Sequence, residues 1–161
     1  MRLYLLRHGR AEDPGPGMSD RDRRLTPAGV REMEGVAAAL VRLDLRPDLI
    51  LTSPLPRAHE TAEIVARALG LEGALRAEPR VLSMDLGDLH QIAAENPGAA
   101  RLLVVGHEPT LSLVAGRLCG GSAIRLKKGG LIRLDVDRCE PGGAELVWLI
   151  PPAVLLQGSH E

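Results

Sequence analysis

Arg7-His8-Gly9 follows at once on the apolar run Leu3-Tyr4-Leu5-Leu6. A strand that ends this way delivers a guanidinium and an imidazole to one edge of a sheet. In an open α/β sheet the carboxyl edge is where ligands bind. The glycine removes a side chain and permits a sharp turn at that edge. Two further segments carry matching groups: Arg57 in Thr52-Ser53-Pro54-Leu55-Pro56-Arg57-Ala58, and His107 in Val104-Val105-Gly106-His107-Glu108-Pro109. Two arginines and two histidines, each placed just after a strand-like run, suit a phosphate anion better than any other common ligand.

Phosphoryl transfer through a covalent enzyme intermediate needs an unprotonated nitrogen facing the phosphorus. Cations around it must neutralise the phosphoryl oxygens as they gain charge. His8 supplies the nitrogen. Arg7 and Arg57 supply planar, bidentate donors, and His107, if protonated, adds a third. Arg57 falls in the first turn of an expected helix, and another helix starts just after His107; helix N-termini themselves favour anions. Taken singly, a histidine capping a strand and a solvated arginine are the ordinary interpretation. Four such residues at strand ends make that interpretation a poor one.

The elements that must position them alternate between strand and helix. Residues 2–6, 49–51 and 102–105 are short buried strands, and a further short strand is expected at 75–78. Residues 12–25 are rich in Pro, Gly and Asp and form a loop. Thr26-Pro27 opens a helix as N-cap and first helical residue, with Met33, Val36, Ala37 and Leu40 on its buried face. Ser53-Pro54 suggests a second cap and start, for a helix lined by Ala58, Ala62, Val65 and Leu69 and stopped by Gly70. Helices are also expected at 87–95 and 109–118, the latter ended by Gly120-Gly121. Ile132, Leu134 and Val136 alternate with polar residues and pair with a strand at 145–150 in a hairpin across Pro141-Gly142-Gly143. The pattern implies a three-layer α/β/α fold with a mostly parallel sheet and an antiparallel edge strand. One domain spanning 1–161 is expected, since 161 residues suffice for one good core and are too few for two.

Leu6-Arg7-His8-Gly9, the Thr52–Ala58 segment and Gly106-His107 resemble the signature of the histidine phosphatase superfamily, also called phosphoglycerate-mutase-like. The small size, Leu25-Thr26-Pro27-Ala28-Gly29 and the closing Trp148-Leu149-Ile150-Pro151-Pro152 resemble the SixA-type phosphohistidine phosphatases within it, over nearly the whole chain. The resemblance implies a phosphoglycerate-mutase-like fold, a phosphorylated His8 intermediate and a phosphate pocket of Arg7, Arg57 and His107. It implies a metal-independent hydrolase with no cofactor, and the chain offers no convincing metal-ligand spacing either. Relatives acting on sugar or glycerate phosphates use a glutamate after the third strand to protonate the departing alkoxide. The stretch Arg80–Asp88 lacks that glutamate, with Asp85 or Asp88 as the available substitutes. An alkoxide leaves poorly without a proton, whereas a phosphorylated imidazole has a weaker bond and a better leaving group. The expected substrate is therefore a phosphorylated protein bearing phosphohistidine. A small phosphate ester is the alternative, and a non-catalytic phosphate-binding module the rival from another class.

The remaining ionisable residues weigh less. His59 is expected on a helix surface or behind the site, His90 on a solvated helix face and His160 in the tail. Glu108 stands where it would either repel a phosphate or orient His107. Arg21, Arg23 and Arg24 form a basic run that is either solvated or reaches an acidic substrate.

Composition bounds the alternatives. Net charge is −1, which gives no electrostatic hold on nucleic acid or an acidic membrane. One Trp, one Tyr and no Phe leave almost nothing from which to build base-stacking platforms. Cys119 and Cys139 are expected as reduced thiols of a cytoplasmic protein, with a single bond between them left open. The N-terminus enters a strand directly, so no signal peptide is expected, and no apolar run approaches a membrane span. A monomer or small homo-oligomer fits these features.

Overall fold

The computed structural model describes residues 1–158. His160 lies outside the described residues. Six strands form one sheet: β1 (Arg2–Arg7), β2 (Leu49–Thr52), β3 (Leu75–Ala77), β4 (Arg101–Gly106), β5 (Leu131–Val136) and β6 (Ala144–Ile150), in the order β3-β2-β4-β1-β5-β6. The β3-β2, β2-β4 and β4-β1 pairs are parallel, and β5 runs antiparallel to β1. β6 turns back beside β5 and forms the edge, so the terminal hairpin closes the sheet as the alternation at 132–136 implied.

Strand periodicity divides the core in two. On β1, Leu3 and Leu5 face one layer and Tyr4 and Leu6 the other; on β4, Leu102 and Val104 oppose Leu103 and Val105. The first layer is covered by α3 (Leu86–Glu95) and α4 (Thr110–Leu118). The second is covered by α1 (Pro27–Arg42), α2 (Pro56–Leu69) and the single turn α5 (Pro152–Leu155). Burial on both faces explains why β1 and β4 are continuous apolar runs rather than alternating ones.

Local chemistry sets the helix ends. Thr26 accepts a hydrogen bond from Gly29 N at 2.9 Å, capping α1, and Pro27 is its first residue. Gly70 ends α2 with φ +68°, a conformation that favours glycine. The start of α2 differs from expectation. Ser53-Pro54 does not open it; Leu55 is the N-cap and Pro56 the first helical residue. The reason is that the Ser53 hydroxyl is turned inward, accepting from Leu55 N at 3.2 Å, while Pro56 is the proline that occupies the permissive first position. Cys119 and Cys139 are both free, partly buried against the α3/α4 layer, and burial raises both thiols above their ordinary range. Among the described residues no helix is long and apolar enough to cross a membrane.

Candidate active site

Strand register brings the histidines together. In the parallel β1-β4 ladder Arg7 pairs with Gly106, so the next residue of each strand, His8 and His107, leaves the sheet at the same level. His8 N donates to Gly106 O at 3.0 Å, and the two imidazole centroids stand 5.2 Å apart. β2 ends beside them: Thr52 pairs with Val105 and Ser53 N donates to Val105 O at 3.0 Å. Arg57 enters one turn later, in the first turn of α2. All four expected residues thus gather at the carboxyl edge of the parallel strands, the edge where ligands of α/β sheets bind.

Gly9 is required here by space rather than by conformation. Its φ is not positive, but a Cβ on it would come within 2.5 Å of Met33 Cγ on α1. Position 9 excludes a side chain rather than demanding a left-handed turn. Gly9 also anchors His8. Its N–H donates to Thr61 Oγ1 at 3.1 Å, and Thr61 in turn donates to Arg57 O at 2.8 Å. Its carbonyl accepts from His8 Nδ1 at 2.7 Å. A carbonyl has no proton to give, so Nδ1 carries the ring proton and Nε2 keeps its lone pair.

Both histidines are buried, at 5% and 7% exposure. Burial pushes His8 down from 6.5 to about 3; the Gly9 carbonyl opposes this, and His107, Arg57 and Arg7 add to it. Burial likewise pushes His107 down to about 4, helped by Arg57 and Arg7 and opposed by Asp20. At neutral pH both rings are therefore uncharged in the free protein. Because the unfolded chain binds more protons than the folded one between these values and 6.5, stability rises with pH across that window and falls as pH drops through it. Histidine NMR titration of the ligand-free protein should place both midpoints well below 6.5. A midpoint near 6.5 for either would contradict this burial.

The arginines are held from behind. Arg7 Nη1 donates to Leu126 O at 3.0 Å. Arg57 Nη1 donates to Asp20 O at 2.7 Å and Nη2 to Asp20 Oδ2 at 3.2 Å. Asp20 is itself gripped by Arg23 Nη1 at 2.9 Å, and Arg23 Nε donates to Glu12 O. Arg23, then Arg57, holds the Asp20 carboxyl below its usual range. These contacts leave Arg7 Nε, Arg57 Nε and His107 Nδ1 buried without a partner. Among the described residues only one other buried side-chain nitrogen, Arg2 Nε, lacks one. Buried donors are rarely left unpaired unless a ligand completes them. All three belong to residues that stand close enough to His8 to act on its ring, His107 by ring proximity and the two arginines by charge.

The other candidates separate cleanly. His59 lies on the α2 surface 3.2 Å from Glu63, and His90 is exposed on α3. Asp85 and Asp88 cap α3 reciprocally: Asp88 N donates to Asp85 Oδ1 at 2.9 Å and Asp85 N to Asp88 Oδ2 at 3.0 Å. Glu108 neither orients His107 nor faces the pocket by hydrogen bond; its carboxylate takes Ser112 N and the Ser112 hydroxyl at the start of α4. Of the basic run, Arg23 and Arg24 pin the loop, the latter to Glu60, while Arg21 is exposed and forms no ion pair among the described residues. Asp20 and Thr61 escaped the sequence. Thr61 was open to discovery, since it follows Arg57 by four residues and so shares its helix face. Asp20 acts through a loop contact that no periodicity marks. Among the described residues no three His, Cys, Asp or Glu side chains group as metal ligands would.

The family model described as histidine phosphatase superfamily (branch 1) matches residues 3–96. An uncharacterized protein of Picosynechococcus is 38% identical over 83% of this chain and 84% of its own length. The phosphohistidine phosphatase SixA of Escherichia coli is 28% identical over 96% of both chains. The solved structure of the protein histidine phosphatase SixA complexed with tungstate superposes with a TM-score of 0.83 at 27% identity, covering 95% of this chain and 98% of that one. The tungstate of that complex is a tetrahedral oxyanion. With the matched model spanning both the Arg7-His8-Gly9 edge and Arg57, the chain belongs to the histidine phosphatase superfamily, branch 1.

Proposed function

We propose that the chain hydrolyses phosphohistidine on proteins through a phosphorylated His8 intermediate. The carrying observation is the set of three partnerless donors, Arg7 Nε, Arg57 Nε and His107 Nδ1, gathered with an imidazole whose Nε2 lone pair is free. In the first step His8 Nε2 attacks phosphorus, the P–Nε2 bond forms and the substrate P–N bond breaks. A proton taken from solvent onto the second nitrogen of the substrate ring lets it leave as neutral imidazole. In the second step water attacks the phosphoryl group, Nε2 leaves with its electron pair, and inorganic phosphate forms. The donors hold the equatorial oxygens in both steps, where charge grows.

Likeness to SixA along the full chain supports the phosphohistidine substrate. So does the engagement of Asp85 and Asp88 in capping α3, which leaves neither free as a proton donor to an alkoxide. The test is hydrolysis of a phosphohistidine protein and an aryl phosphate in the presence of EDTA. Turnover of both is expected to persist, because arginines supply the charge neutralisation. Loss on chelation, restored by a divalent ion, would defeat the mechanism. Arg57→Ala should lower kcat on the order of a hundred- to a thousandfold, since it removes a donor aimed at developing charge. A change confined to KM would show instead that Arg57 binds ground state and transition state alike.

A further inference from the structure

The Ser53 hydroxyl lies between two nitrogens. Leu55 N donates to its oxygen at 3.2 Å, and His107 Nε2 lies 2.7 Å from the same oxygen. Ser53 is fully buried, so its hydroxyl hydrogen has no water to turn to. Two proton arrangements fit these distances. In the first, His107 is protonated on Nε2 and donates to Ser53. The serine oxygen then accepts twice, its own hydrogen points at nothing, and a lone pair on His107 Nδ1 meets the oxyanion. A buried hydroxyl hydrogen without an acceptor and two facing lone pairs are both unfavourable. In the second, Ser53 donates its hydrogen to Nε2 and the ring proton sits on Nδ1. Every group near Ser53 is then satisfied, and the one nitrogen left over, Nδ1, is an N–H donor without a protein partner.

We propose that Ser53 is a positioning residue that sets the tautomer of His107, so that His107 presents Nδ1–H to the phosphoryl oxygens. This deepens the proposed function, on which its catalytic part rests. The inward turn of Ser53 that prevents it from opening α2 then has a use: it fixes the second histidine from behind, as Gly9 and Thr61 fix the first. The donor matters most when charge on the phosphoryl group peaks, so losing its orientation should appear in kcat more than in KM.

The test reads the tautomer directly. Side-chain 15N NMR of the ligand-free full chain should show His107 protonated on Nδ1. Ser53→Ala should shift it toward Nε2–H and lower kcat on an aryl phosphate by on the order of ten- to a hundredfold, with KM little changed. Ser53→Thr, which keeps a hydroxyl, should restore most of both. An Nε2–H tautomer in the unmodified protein would overturn the proposal, as would Ser53→Ala with an unchanged tautomer. If Ser53→Ala does not fold, the unmodified protein's tautomer alone decides. That measurement needs no substrate, so its failure is distinguishable from failure of the phosphatase assignment, which the turnover assays read.

Discussion

His8→Ala is expected to reduce turnover to background, a loss on the order of 10⁵-fold or more. The residue is the covalent acceptor, and no neighbour can replace it. His107 is the nearest imidazole, but its Nε2 is 2.7 Å from Ser53 Oγ and its Nδ1 is one of the three partnerless donors. The substitution should leave the fold intact. The backbone N–H of residue 8 still reaches Gly106 O, and the side chain gives up a single hydrogen bond, to Gly9 O. The variant should therefore still bind an oxyanion such as tungstate or inorganic phosphate, because Arg7, Arg57 and His107 are untouched. Mass spectrometry of the unmodified protein after brief exposure to a phosphodonor should find the phosphoryl group on His8 and nowhere else. Appreciable turnover by a folded His8→Ala protein would rule out the covalent route. Oxyanion binding with no phosphoryl adduct and no turnover in the unmodified protein would favour a binding module.

The convergence of the four candidate residues was legible because they sit at or just beyond the ends of strands with apolar interiors. β1 and β4 are buried on both faces, so Leu3–Leu6 and Leu102–Val105 stand out without any periodicity argument, and the pairing of Arg7 with Gly106 then follows from their equal offsets in the two strands. Residues 71–100 were harder for the opposite reason. They contain two 3-10 turns, Glu72–Ala74 and Pro79–Leu82, and a three-residue strand with no buried member, so neither helical nor strand spacing has room to show. Ser53-Pro54 misled because a serine before a proline has the composition of a helix cap. Whether a serine caps a helix or turns into the interior depends on what lies opposite, here His107, 54 residues away. Asp20 was missed on the same ground: its partner Arg57 lies 37 residues on, and the loop that carries it has no pattern. The two aspartates of α3 illustrate a further ambiguity. Asp85 and Asp88, three apart, suit a general acid and a capping box equally by composition, and only the fold of α3 binds each to the other's backbone N–H.

Turnover should depend steeply on the leaving group. A positioned general acid contributes on the order of 10²–10⁴-fold, and the four candidate carboxylates, Asp20, Glu108, Asp85 and Asp88, are engaged elsewhere. Asp20 is held as the anion by Arg23 and Arg57, Glu108 is bound to Ser112, and Asp85 and Asp88 cap α3. An imidazole leaving group can accept its proton from solvent near neutrality, with an ordinary pKa of about 6.5, and an acidic phenol needs none. Glycerol phosphate has neither advantage. Phosphohistidine and activated aryl phosphates should therefore be cleaved faster than alkyl phosphates by roughly the 10²–10⁴-fold that an acid would otherwise supply. Asp85→Asn and Asp88→Asn isolate the question. Asparagine caps a helix about as well as aspartate, so α3 should persist while any acid is removed, and phosphohistidine hydrolysis should change little. Comparable rates on alkyl and aryl phosphates, with the alkyl rate lost in either variant, would mean that the α3 capping box opens in the substrate complex to release a proton donor. The chain would then be a small-molecule phosphomonoesterase built on the same His8 chemistry.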